Sequence, residues 1–307
     1  MAAAERTEGS CPVLPLASGR SIPVLGLGTS HRGGYSHDAV VYAIQNCGIR
    51  HIDTAKRYGC ESLLQKAIKE SGVKREDLWL TTKLWHSDYG YENTKKACLE
   101  SCERLGVEYL GLCRSIGVSN FLISHLEQLK EDCVITPHVN QVEYHPFQRP
   151  QELVDYCRSR DIVFEGYCPL AKGEALTYPS IIQLAKKYGR TPAQICIRWS
   201  IQNGIVTIPK STKAERIEEN CKVFDFAIAE DDVEVLNGMH DGRHVSWDPS
   251  LVVQFQSRVL KGPAYTLDFC GVFHRKTSFL NTSCGQWGAL VSRLEPAQPR
   301  HMLTCHL

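Results

Sequence analysis

The sequence predicts an α/β fold built on parallel strands, of the size of a single eight-stranded α/β barrel. Three observations carry this. Between about residues 22 and 240, short β-branched runs alternate with helical segments, and such alternation implies a parallel sheet. The 307 residues fit one barrel of about 250 residues with a segment left over. Polar residues close one run after another, where strands buried on both faces should be apolar. In a parallel barrel those strand ends share one rim, which is where active sites are built.

Taken in order, Ile22 to Gly28 reads as a strand. Ser36 to Cys47 reads as a helix that Ser36 can cap, with Ala39, Tyr42 and Ala43 on one face. His51–Asp53 is a strand end, and Glu61 to Ser71 is a helix closed by Gly72. Leu78 to Lys83 reads as a buried strand, followed by a helix from about Glu92 to Leu105. A strand then begins at Glu108–Cys113, and the next, Ser115–Val118, arrives within a few residues. A crossover helix needs about a dozen residues, so none fits between them.

The rhythm then resumes. Ser124–Glu131 is helical, Val139–Val142 extended, and Pro150–Arg160 helical. Ile162–Gly166 is a strand, followed by helices at Ser180–Tyr188 and Pro192–Gln202, the latter opened by Thr191 and Pro192. Ile205–Ile208 is a strand, and Lys213–Val223 and Glu230–Met239 are helices. From about Trp247 onward the rhythm is lost, and residues 262–307 are rich in Ser, Thr, Gly, Pro and Arg without a period. The expected organisation is a barrel over 1–250 and an atypical, disordered tail over 251–307.

Composition narrows the function classes. Thirty-five basic residues against 34 acidic ones give a net charge of +1, so no strong field draws nucleic acid or an acidic membrane. An uninterrupted apolar run of about 18 residues is absent, and the start MAAAERTEGS lacks the basic and apolar stretches of a signal peptide. A cytoplasmic protein without nucleic-acid or membrane partners is expected. The 14 cysteines are scattered without zinc spacing, so most are expected as reduced thiols and no metal site is predicted.

The polar residues at the run ends are Asp53, Lys83, Ser119 with Asn120, Gln141, Tyr167 and Lys210. Singly, each reads as an ordinary polar strand terminus. Together they would converge on one mouth. Gly26-Leu27-Gly28 invites a dinucleotide-fingerprint reading, but His31 stands where the third glycine is required, so a tight turn is the better account.

The segments HIDTAKRYGCE (His51–Glu61), LTTKLW, GVSNF, NQVEYHP, GYCPL and IPKSTKAERIEEN resemble the aldo-keto reductases, in that family's order, over roughly residues 12–248. The resemblance implies a (β/α)8 TIM barrel with an N-terminal hairpin at about 12–23, turning at Leu16–Arg20 and closing the base. It further implies reduction of aldehydes or ketones with NADPH, a small-molecule carbonyl substrate and a monomer. Tyr58 would be the reactive acid, with Asp53 and Lys83 beside it. Ser119, Asn120 and Gln141 would hold the nicotinamide carboxamide and Tyr167 would stack on its ring. Lys210, Ser211 and Arg216 would bind the 2′-phosphate, and Glu219 and Asn220 the adenine. The chemistry is sound on its own terms. A carbonyl that accepts hydride needs a proton, and an ammonium beside a phenol stabilises the phenolate left behind.

One departure stands out. In the family, a fourth strand ending in a catalytic histidine, then a helix, precede the GVSNF segment. Here Tyr109-Leu110 runs straight into Gly111–Ser115, and roughly 40–50 residues are missing by the length of a βα unit. The expectation is a barrel missing or breached at unit four, truncated near 108–115, with no catalytic histidine; His86 and His125 lie elsewhere. This leaves two functional readings, a reductase or a catalytically impaired NADPH-binding or partner-binding pseudoenzyme.

Overall fold

The computed structural model describes residues 11–30, 33–107, 113–251 and 302–306. It opens with the expected hairpin, β1 (Val13–Pro15) and β2 (Ser21–Pro23), paired antiparallel with Leu14 opposite Ile22. Gly19 makes the turn possible, since its φ of 76° is one that a side chain disfavours. The run read as one strand over 22–28 is therefore two: β2 belongs to the hairpin, and β3 (Leu27–Gly28) begins after Pro23, which cannot donate to a continuing ladder. Leu16 and Ile22 pack on Val139 and Val206, which caps the base of the barrel.

The larger sheet has eight strands in the order β3, β4 (His51–Asp53), β5 (Trp79–Lys83), β10 (Met302–His306), β6 (Ser115–Ser119), β7 (Val139–Glu143), β8 (Val163–Tyr167) and β9 (Val206–Thr207). All pairings are parallel except the two made by β10. The ring closes between its first and last strands. Thr207 N–H donates to Val24 O at 2.9 Å, Gly26 N–H to Thr207 O at 2.9 Å, and Gly28 N–H to Pro209 O at 3.0 Å.

The helices follow the sequence pattern closely. They are α1 (His37–Gln45), α2 (Glu61–Ser71), α3 (Tyr91–Leu105), α4 (Ile123–Asp132), α5 (Gln151–Ser159), α6 (Pro179–Tyr188), α7 (Pro192–Gln202), α8 (Ala214–Cys221) and α9 (Glu230–Asn237). Ser36 caps α1 through the Ala39 N–H, and Gly72 ends α2 in the left-handed conformation. Thr191 and Gln194 form a reciprocal capping box on α7, which opens with Pro192.

Unit four is missing, one of the two outcomes the sequence leaves open. Among the described residues, no fourth strand and helix lie between α3 and β6. β10, from the far end of the chain, fills the vacancy antiparallel, with Thr304 opposite both Lys83 and Gly117. Residues 252–301 and 307 of the tail, and residues 108–112 of the strand start expected at 108–113, lie outside the described residues.

The apolar core reflects the same join. One cluster gathers α1, α2 and the first strands around Ile44, Ile52, Leu64 and Leu80, and reaches Ile197 and Ile217 on α7 and α8. A second surrounds Phe147, Phe164, Ile195 and Trp199. Beside α3, whose next neighbour would have been the helix of unit four, lies a groove of about 440 Å³ lined by Lys96, Leu99, Glu100, Cys102, Glu103 and Val107. Ten described cysteines are free thiols, while Cys113 is disulfide-bonded. No helix among the described residues is long and apolar enough to cross a membrane.

Candidate active site

The strand ends converge as the sequence predicts. Asp53 closes β4 and Lys83 closes β5, both essentially buried. Lys83 Nζ donates to Asp53 Oδ2, and to Thr54 O at 3.0 Å. Tyr58 stands on a single 3₁₀ turn, Lys56–Tyr58, which the left-handed Gly59 terminates. The Lys83 ammonium lies 5.3 Å from the centroid of the Tyr58 ring. Gln141 joins them from β7, its Nε2 donating to Asp53 Oδ2 at 2.9 Å.

Electrostatics define the protonation states. Burial alone would push the Lys83 ammonium down, but Asp53 and Tyr58 pull it up further, so it stays charged above its ordinary value. Burial pushes the Tyr58 phenol up, and Lys83 recovers only part of that. The lysine alone would lower the phenol, yet desolvation wins, and Tyr58 holds its proton at neutral pH.

The residues assigned to the nicotinamide end are also brought together. Ser119 Oγ donates to Gln141 O at 2.9 Å, and Asn120 N–H donates to the same carbonyl at 2.9 Å. Asn120 has a φ of 63°, and its side-chain oxygen accepts from Tyr167 Oη at 2.9 Å. Burial, then Glu143, hold the Tyr167 phenol well above its ordinary value.

Lys210, Ser211, Arg216, Glu219 and Asn220 follow β9, on the loop to α8 and on α8 itself. Lys210 Nζ reaches over the loop after β3, where a Cβ on Gly33 would sit 3.1 Å from it. Ser211 Oγ accepts from the Lys213 N–H at 3.1 Å. Arg216 is exposed on the first turn of α8, and Lys213, its N-cap, supplies no side-chain cap. Glu219 is engaged elsewhere: its carboxylate accepts from Thr191 Oγ1 at 2.7 Å, which docks α8 on α7. Asn220 is buried.

Two further carboxylates escaped the sequence reading. Glu143, ending β7, accepts from the Val245, Ser246 and Trp247 backbone at 2.6, 3.0 and 3.3 Å, and from His145 Nε2 at 2.9 Å. It pins the segment after α9 to the strand ends. The signal was the NQVEYHP motif, read only for its glutamine.

Glu165 lies on β8 inside the ring, with no exposed side-chain surface, and its Oε1 is 3.5 Å from His51 Nε2. His51 Nδ1 faces Pro23 O at 3.3 Å, a carbonyl that can only accept. Burial drives His51 down to about 4, so the ring is neutral, Nδ1 carries the hydrogen and Nε2 presents a lone pair. A carboxylate there would face that lone pair. Burial first, then Asp53, push Glu165 up to about 8, so it is a neutral acid at pH 7.

The sign of its pH effect follows. A raised folded value stabilises fully below the ordinary 4.5, and that stabilisation is lost as pH rises towards about 8. Glu165→Gln should therefore flatten the decline in melting temperature between those pH values, a difference of a few kcal/mol at the alkaline end. Parallel melting curves against pH for the two proteins would refute the assignment.

With the geometry in place, comparison with known proteins is decisive. The model of the Aldo/keto reductase family matches residues 24–113 and 110–241. The chain belongs to this family. Glyoxal reductase of Bacillus subtilis is 39% identical over 262 residues, covering 76% of this chain and 95% of that protein. Among solved structures, an aldo-keto reductase from a Medee basin deep-sea metagenome superposes with a TM-score of 0.75 at 36% identity, covering 78% of this chain and 99% of that one. A Bombyx mori aldo-keto reductase in complex with NADP gives a TM-score of 0.72 at 29% identity, covering 83% and 98%. The two family blocks overlap at residues 110–113.

Proposed function

We propose that this chain is an NADPH-dependent oxidoreductase that reduces small aldehydes or ketones to alcohols, with Tyr58 as the general acid. The carrying observation is the buried Asp53–Lys83 pair whose ammonium lies 5.3 Å from the Tyr58 ring. Bound NADPH supplies the hydride. The Tyr58 hydroxyl supplies the proton that the nascent alkoxide requires, and Lys83 stabilises the phenolate that remains. Asp53 holds Lys83 charged and in place. Gln141, bonded to Asp53, couples the cofactor wall to this pair.

The residues present fit the cofactor. The first turn of α8 has N–H groups without a side-chain cap, beside Lys210, Ser211 and Arg216, and this donor set suits a phosphate dianion. Ser119, Asn120 and Gln141 offer amide and hydroxyl groups to a carboxamide, and Tyr167 a ring to stack. Asn220 remains an adenine contact in this reading; Glu219 would have to share its carboxylate with Thr191.

The absent fourth unit, with its histidine, favours a second reading in which the chain binds the cofactor without turning over. Loss of one oxyanion donor typically costs about 2.7–4 kcal/mol, or 10²–10³ in rate. One titration separates the two. NADPH should quench tryptophan fluorescence, and added glyoxal, the aldehyde named in the Bacillus relative, should then oxidise the cofactor slowly. Quenching without oxidation, across several aldehydes, supports the pseudoenzyme; no quenching defeats both.

A further inference from the structure

β10 makes two ladders with residues more than 180 positions distant in sequence: Thr304, Cys305 and His306 with Lys83, Thr82 and Thr81, and Met302 through His306 with Ser119 through Ser115. An inserted fourth unit would have supplied a parallel strand. An antiparallel one works equally well for hydrogen bonding, because either direction satisfies both neighbouring edges.

The run Met302-Leu303-Thr304-Cys305-His306 suits this place, having neither proline nor formal charge apart from a titratable His306. The two walls it joins are not equivalent. β5 carries Lys83 of the catalytic pair, and β6 carries Ser119 of the cofactor wall. Thr304 stands opposite Lys83 on one side and Gly117 on the other, so the walls lie two strand spacings apart, about 9.6 Å. Without β10 the walls either meet at about half that separation or leave two unpaired edges.

We propose that the groove between β5 and β6 is a peptide-binding site for one antiparallel extended strand, and that its ligand is residues 302–306 of the same chain. Docking of this segment sets the separation between the lysine wall and the serine wall. Recognition is by main-chain hydrogen bonds along two edges, the chemistry of strand addition. Because the ligand is covalently joined to the barrel, the equilibrium is intramolecular and favours the occupied groove.

The test is hydrogen exchange on the full chain, which is independent of cofactor binding or turnover. Amides of residues 302–306 should exchange at least about tenfold more slowly than those of a free peptide of the same sequence. Thr304→Pro, which removes a ladder donor from a central strand, should abolish that protection and raise exchange in residues 79–83 and 115–119. A fluorescein-labelled Met302–Leu307 peptide should bind the Thr304→Pro chain at least about tenfold more tightly than the wild type, whose groove is already filled. Free-peptide exchange rates in the wild-type tail would overturn the proposal, as would unchanged wall protection in the variant. If the variant unfolds outright, the wild-type exchange pattern alone decides. Loss of NADPH binding with tail protection intact would count against the proposed activity and leave the groove standing.

Discussion

Tyr58→Phe should reduce carbonyl turnover by about 10²–10⁴ while leaving NADPH affinity within about twofold. The substitution removes one oxygen and keeps the ring. The ring's contact with the Lys83 ammonium, 5.3 Å from its centroid, survives, so the buried cation keeps its surroundings. What is lost is the proton. Among the described groups at this end of the barrel, Lys83 is held to Asp53 and Thr54 O and cannot surrender a proton without stranding the carboxylate. Stopped-flow oxidation of NADPH with glyoxal, beside fluorescence titration of the cofactor, measures the two effects separately. Retained turnover would mean that another group is the acid.

Lys83→Met should be the most damaging single substitution to the fold. It leaves the Asp53 carboxylate, 2% exposed, with the Gln141 amide but without its counter-charge. Breaking a buried pair from one side typically costs about 3–5 kcal/mol. For a barrel of this size that corresponds to a melting temperature lower by roughly 6–20 °C. Removing both charges, with Asp53→Leu added, should recover most of the loss, because the penalty comes from the stranded carboxylate. Calorimetry on the two variants checks this. A double variant no more stable than Lys83→Met would show that packing, rather than charge, dominates. Turnover should vanish in both, since neither retains the cation beside Tyr58.

Much of this site could be read from the sequence because the local signals agreed with the global fold. Asp53, Lys83 and Ser119 each end a largely buried strand, and the structure places all three on one rim. Helix limits came close because their caps are explicit, as with Ser36, Gly72 and the Thr191–Pro192 opening. What escaped depended on long-range partners. Glu165 reads as one polar residue in a strand, and its protonation emerges only from its burial inside the ring beside Asp53, 112 positions earlier. Glu219 reads as a ligand contact, yet Thr191 occupies its carboxylate. β10 was illegible for the same reason. Five residues without a period carry no local signature, and only the two vacant edges of β5 and β6 give them a meaning.

The ladder between Thr304 and Lys83 spans about 220 residues of chain. That separation bears on biosynthesis. A barrel assembled unit by unit can grow as it leaves the ribosome, but this one cannot finish its ring until residues 302–306 are free. Until then β5 and β6 present open edges in a nearly complete domain, the sort of intermediate that invites intermolecular strand pairing. Nonlocal closure also slows folding, since a large loop must be ordered before its contacts form. A chain arrested before residue 302 would thus contain every described residue of the site but lack the strand that joins β5 to β6.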